Sequence, residues 1–188
     1  MIKELAIESG IKMDEKGFHE ELKKHQELSQ TASKGRFKSG LADDSEKTTK
    51  LHTAAHLLLE AVKKTLDEKI EQRGSNINSE RLRFDFSFDR KLTDEEIKEI
   101  EDLVNKKIQD NSPIVLKEMD LDKAKSSGAH GIFDSKYGEK VKVYSIGNFS
   151  KEICAGPHVS NTSELGHFKI VKEQSSSSGV RRIKAVLE

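Results

Sequence analysis

Eight residues do most to limit what this chain can become: Arg81, Leu82, Arg83, Phe84, Asp85, Phe86, Ser87 and Phe88 alternate without a fault. Leu82, Phe84, Phe86 and Phe88 share one face, a period of two that predicts a strand with one side buried. Helices able to cover that aromatic side flank it. Upstream, Asp44 or Ser45 can cap a helix on which Leu51, Ala54, Ala55, Leu58, Val62 and Leu66 form an apolar stripe. Downstream, Thr93 and Glu96 form a capping box ahead of Ile97, Ile100, Val104 and Ile108.

Pro113 closes that second helix, and residues 114–119 read as a strand. A short helix at 121–125 follows, then a glycine-bearing loop over 127–138 and an alternating strand at 140–144. Residues 166–173 and 179–187 are two more strand candidates, with the serines at 175–178 read as a mobile turn between them. Strands and helices mix without the regular alternation of a doubly wound fold, so the expected class is α+β with a largely antiparallel sheet. Residues 1–34 read as helical, with Asp14 capping a helix that carries Phe18, Leu22 and Leu28, and residues 35–40 form a basic, glycine-punctuated linker. The expected organisation is a helical segment and linker over 1–44 and a main domain over 45–188.

Lysine plus arginine and aspartate plus glutamate both total 33, so net charge is silent about nucleic acid. An RNA binder of this composition must gather its positive charge on one surface. A single cysteine rules out an internal disulfide framework and fits a reducing compartment. No apolar run reaches membrane-spanning length, and the opening Met1, Ile2, Lys3, Glu4 does not read as a signal peptide. The expected location is the cytoplasm.

Four residues carry the chemistry: His52 and His56, then Cys154 and His158. Histidines four apart on a helix lie on one face, a turn apart, where one metal ion reaches both imidazoles. Both sit at the edge of the apolar stripe, beside Leu59, and should face the interior. Cys154 and His158 are brought close by a tight segment in which Gly156 permits a sharp turn. Three imidazole nitrogens and a thiolate suit zinc. Spacing alone leaves open that the histidines are simply half-buried and that the cysteine packs. No glutamate stands between the two histidines, which disfavours a metalloprotease.

Several blocks carry a resemblance. Thr48 to Leu58, with sequence TTKLHTAAHLL, looks like the opening of the editing domain of alanyl-tRNA synthetase. So do Gln72-Arg73-Gly74-Ser75, the Arg81 to Phe86 run, the segment from Asn148 to Val159, and the closing Gly179 to Val186, all in family order. Residues 1–38 resemble the stretch before that domain. The chain is thus similar to this editing domain or to freestanding alanyl-tRNA editing proteins. The implied fold is the one that alanyl- and threonyl-tRNA synthetases share for editing. The Arg-Phe-Asp-Phe block and the Gly-Val-Arg-Arg ending argue for the alanyl branch.

The resemblance implies a zinc ion held by His52, His56, Cys154 and His158, and hydrolysis of Ser-tRNA(Ala) or Gly-tRNA(Ala) at the acceptor end. It places Gln72 near the substrate. Arg81, Arg83, Arg181 and Arg182 are candidates for phosphate contacts, the alternative being a solvated charged face. Because Arg181 and Arg182 are adjacent in a strand, only one is expected to line the tRNA groove, and the other to lie behind it or pair with a carboxylate. No part resembles an ATP-binding core, so aminoacylation by this chain is not expected. Ala55 stands where the family usually has a pocket threonine, Ala155 replaces a glycine, Pro157 often corresponds to threonine, and Asn148 replaces an aspartate. These departures support an alternative: a catalytically weakened, zinc-stabilised tRNA-binding module.

Overall fold

The structure, a computed structural model, describes residues 41–131 and 138–188 together with Asp14, Gly17, Glu20 and Glu21. The chain divides into two compact units, Met1–Phe37 and Lys38–Glu188. In the first, the Asp14 carboxylate accepts a hydrogen bond from the Gly17 N–H at 3.0 Å, and Gly17, Glu20 and Glu21 are helical. The expected apolar side at Phe18, Leu22 and Leu28, and the linker at 35–40, lie outside the described residues.

The second unit opens on α1 (Glu46–Thr65), where the Ser45 hydroxyl accepts from the Thr48 N–H and fills one of the unpaired donors of the first turn. Glu46 in that turn and Lys63 and Lys64 in the last one complement the helix dipole. The apolar stripe is buried, but burial goes further than one stripe: residues 51–59 are buried without a break. That is more than two turns, so this helix is packed on all sides.

Strands β1 (Gln72–Ile77) and β2 (Leu82–Ser87) follow as a hairpin, then α2 (Asp94–Gln109), β3 (Ile114–Asp120), α3 (Leu121–Ser126), β4 (His130–Gly131), β5 (Lys140–Ile146) and β6 (Ser150–Ile153). A 3₁₀ turn at Thr162–Leu165 precedes the final pair, β7 (Phe168–Ser177) and β8 (Val180–Leu187). Two four-stranded sheets result, ordered β1-β2-β8-β7 and β3-β5-β6-β4. All pairings are antiparallel except β4 with β6. The fold is α+β, with the expected single sheet resolved into two.

The first sheet turns Leu82, Phe84 and Phe86 inward, each fully buried, to meet α1 and α2 in the main core. The expected capping box forms: Thr93 accepts from the Glu96 N–H at 3.2 Å, and Glu96 accepts from the Thr93 N–H at 2.8 Å. Ile100, Val104 and Ile108 of α2 are buried. The second sheet has a smaller core of Ala124, Ala129, Val141, Val143 and Ile153. On its edge strand β3, Val115 and Leu116 stay 43% and 45% exposed, while Ile114 and Met119 pack against the cores, so only some of the apolar letters of that strand mark core.

The serine run is not a turn between strands. β7 continues through Ser177, and only Ser178 and Gly179 make the connection, with Gly179 at φ +67° in the second turn position, the place that calls for glycine in a type II turn. Pairing along β8 keeps these serines in strand geometry despite their weak intrinsic preference for it.

β7 is the free edge of its sheet, and Asn105 closes part of it. Its amide oxygen accepts from the Phe168 N–H and its amide nitrogen donates to the Phe168 carbonyl, both at 2.8 Å. Asn105→Leu should leave two backbone groups unpaired and cost about 1–3 kcal/mol. Urea denaturation checks this: the midpoint should fall at constant slope. An unchanged midpoint would mean that water replaces the amide at no cost.

Candidate metal centre

Helix periodicity and one short loop build the cluster. His52 and His56 lie a turn apart on α1, 4% and 6% exposed, with ring centroids 5.1 Å apart. The chain leaves β6 at Ile153, and the Cys154 N–H donates to the Lys142 carbonyl at 3.1 Å, which ties the loop to β5. Four residues after Cys154, His158 stacks on His52 at 4.2 Å and meets His56 edge-on at 4.4 Å. The Tyr144 ring, from β5, packs against His158 at 4.2 Å. One donor atom from each of His52, His56, Cys154 and His158 lies within 4.8 Å of the others.

The outer nitrogen of each ring faces an oxygen. His52 Nδ1 donates to the Pro157 carbonyl at 2.9 Å, His56 Nδ1 lies 3.4 Å from Glu152 Oε2, and His158 Nδ1 is 3.1 Å from Thr53 Oγ1. A carbonyl can only accept, so His52 carries its proton on Nδ1 and turns an unprotonated Nε2 towards Cys154 Sγ, 3.4 Å away. His158 Nε2 is buried and has no hydrogen-bond partner. Buried polar atoms are rarely left so unless something else occupies their lone pair. Outer-shell hydrogen bonds of this kind orient ligating imidazoles in metal sites.

The electrostatics agree. Burial drives the Cys154 thiol up to about 12 and lowers the basicity of all three imidazoles, most strongly at His56 and His158, where neighbouring histidines add to it. Four neutral donors converge on one point, two from buried residues and two from half-buried ones. A cation at that point reverses the logic, favouring thiolate and neutral imidazole together. The cluster can hold a metal ion, and its three-nitrogen, one-sulfur donor set is compatible with zinc.

Two residues here carry no motif of their own. Glu152 is fully buried and held up to about 8 by that burial, against the Ser150 hydroxyl, which donates to its Oε1 at 3.1 Å. It sits two residues before Cys154 on β6, so strand alternation sends both side chains to the same face. That parity was the signal available in the sequence. Thr53, fully buried between the two helix histidines, is the other.

Glu152 also faces a cleft of ≈ 350 Å³ lined by Leu59, Lys63, Ile70, Gln72, Arg73 and His130 among others. Gln72 shares this cleft with Glu152, and none of the four cluster residues is among its lining. Ala55 is buried on α1, one residue before His56. Pro157 lacks an N–H, yet what the cluster uses is its carbonyl, so this departure keeps the contact to His52. The four singled-out arginines are elsewhere, and none is among the residues that line the cleft. Arg81 reaches Asn76 Oδ1 at 3.2 Å, and Arg83 keeps a buried Nε without a partner. Arg182 forks onto Asp85 through two bonds of 2.7 Å, and Arg181 pairs with Glu173. Both members of the adjacent pair are thus tied to carboxylates, where one was expected to be open to the tRNA groove. The two acids lie on the strands either side of β8, Asp85 on β2 and Glu173 on β7.

Comparison with known proteins follows the same lines. Residues 141–184 match the family described as the threonyl and alanyl tRNA synthetase second additional domain. The chain is 54% identical over 188 residues to the alanine–tRNA ligase of Treponema denticola, covering 100% of this chain and 31% of that protein. It is 52% identical over 187 residues to that of Borreliella afzelii, covering 100% and 32%. With that of Treponema pallidum it shares 49% over 188 residues, again 100% and 31%. The chain therefore spans about a third of the length of these relatives. Among the described residues, no helix is long and apolar enough to cross a membrane.

Arg181 and Glu173 are only 12% and 1% exposed. Arg181→Ala should cost about 3–5 kcal/mol by stranding a buried carboxylate. Adding Glu173→Gln should recover much of the loss, and a double-mutant cycle by chemical denaturation measures the coupling. Additive losses would show that the pair is not coupled.

Proposed function

We propose that this chain, which along its whole length resembles the part of alanyl-tRNA synthetase bearing the second additional domain, is an aminoacyl-tRNA deacylase. In this reading residues 45–188 form a zinc-binding editing domain that hydrolyses Ser-tRNA(Ala) or Gly-tRNA(Ala) in the cytoplasm. The observation that carries the reading is the convergence of His52, His56, Cys154 and His158, with Glu152 both 3.4 Å from His56 and in the lining of a cleft that Gln72 shares.

The chemical need is a selectivity that an alanine pocket lacks. A missing methyl or an added hydroxyl discriminates only about 10–200-fold, so a second, hydrolytic site must remove the errors. Zinc in the cluster would supply Lewis-acid polarisation. The protein's own groups do the rest. Glu152 holds the His56 ring, Gln72 offers an amide to the aminoacyl end, and Leu59 and Ile70 give the cleft an apolar wall. Lys63 and Arg73 bring positive charge to the same cleft; Arg73 pairs there with Glu71, but that pair is exposed and weak, so these two are better candidates for the tRNA acceptor end than Arg181 and Arg182 in their more buried pairs.

Protein purified without added metal should contain one zinc per chain, and should lose it when Cys154→Ala and His158→Ala are combined. Elemental analysis decides this. Purified protein should also deacylate Ser-tRNA(Ala) or Gly-tRNA(Ala) while sparing Ala-tRNA(Ala). The alanines at 55 and 155 favour a second reading, a zinc-stabilised tRNA-binding module. That reading takes over if bound tRNA stays charged at enzyme excess, and Ala55→Thr would then test whether the pocket is the cause.

A further inference from the structure

Thr53 is fully buried on α1 between His52 and His56, yet its hydroxyl serves the other half of the cluster. Three groups surround Oγ1: the Thr49 carbonyl at 3.2 Å, His158 Nδ1 at 3.1 Å and the Val159 N–H at 3.3 Å. A hydroxyl has one proton to give and two lone pairs to offer. The Thr49 carbonyl can only accept and the Val159 N–H can only donate. The hydroxyl proton therefore goes to Thr49, one lone pair takes the Val159 N–H, and the other is left for a proton on His158 Nδ1. The arrangement is complete only with that proton in place.

We infer that Thr53 is a positioning residue that selects the tautomer of His158 and fixes its ring. With the proton on Nδ1, His158 Nε2 presents a lone pair to the centre, where it is buried and unpartnered. His52 reaches the same state through the Pro157 carbonyl. The Val159 bond clamps the backbone one residue beyond His158, so a single oxygen sets both the ring's proton and the position of the loop that carries it. The opposite tautomer would put an Nε2–H among the donor atoms of His52, His56 and Cys154, where a cation could not be accepted. The consequence for metal binding rests on the reading of the cluster as a zinc site; the tautomer itself does not.

Long-range proton–nitrogen spectra of ring-labelled histidine test both, with His158 assigned through His158→Gln. Metal-free wild-type protein should show His158 protonated at Nδ1. Thr53→Val should blur that signature while leaving His52 unchanged, and should weaken zinc, measured by competition with a chromophoric chelator, on the order of 10–100-fold. Thr53→Ser, which keeps the oxygen, should restore both. A general loss of packing would disturb His52 and His158 alike and would not be rescued in this way. An Nε2-protonated His158 in wild-type protein overturns the inference, and so does wild-type zinc affinity in Thr53→Val. If Thr53→Val does not fold, the wild-type spectrum and Thr53→Ser still decide. Failure of wild-type protein to take up zinc would defeat the metal reading, and the tautomer measurement would still judge Thr53.

Discussion

Burial of α1 on every side is the constraint from which the rest of the structure follows. A helix covered on one face needs one partner; this one is covered through residues 51–59 and needs several. The first sheet and α2 supply apolar cover, through Phe84, Phe86, Ile100 and Val104 among others. The remaining side carries imidazoles and a hydroxyl, and those must be paired because they are buried. The loop after β6 does that work: its Pro157 carbonyl, Val159 N–H and His158 ring all bond to α1 side chains. Removing polar groups from water is thus the reason that two distant stretches meet, and the donor cluster lies where they meet.

Features that rest on local chemistry were legible in the sequence. Alternation at β2, the Thr93 and Glu96 box, the Ser45 cap and the four-residue spacing of His52 and His56 each involve neighbours in the chain. Features that rest on distant partners were not. β1 contains Gly74, Ser75 and Asn76, poor strand formers, and exists because β2 offers an unpaired edge. The serines of β7 are held by β8, and Arg181 and Arg182 by acids on strands that only the fold brings alongside. Glu152 and Thr53 are common residue types whose roles depend on which nitrogen atoms they meet.

Charge is arranged with the same economy. Lysines and arginines balance acids in number, and many are matched locally, as in Arg90 with Glu96, Lys169 with Glu101 and Arg182 with Asp85. The exposed ones add little stability. With cations and acids equal in number, attraction for a polyanion must come from a few well-placed cations and from the site itself.

The three imidazoles meet three different kinds of oxygen, and this has an evolutionary consequence. His52 leans on a main-chain carbonyl, His158 meets a hydroxyl, and His56 lies 3.4 Å from the Glu152 carboxyl. A main-chain carbonyl is present whatever residue is encoded there, so position 157 is free to drift, provided the backbone path is kept. Positions 152 and 53 have no such freedom, since the gene must specify the atom that is used. Tolerance to mutation around one cluster is therefore unequal from histidine to histidine, and a lineage relaxing its use of this site should lose Thr53 and Glu152 before the support of His52 fails.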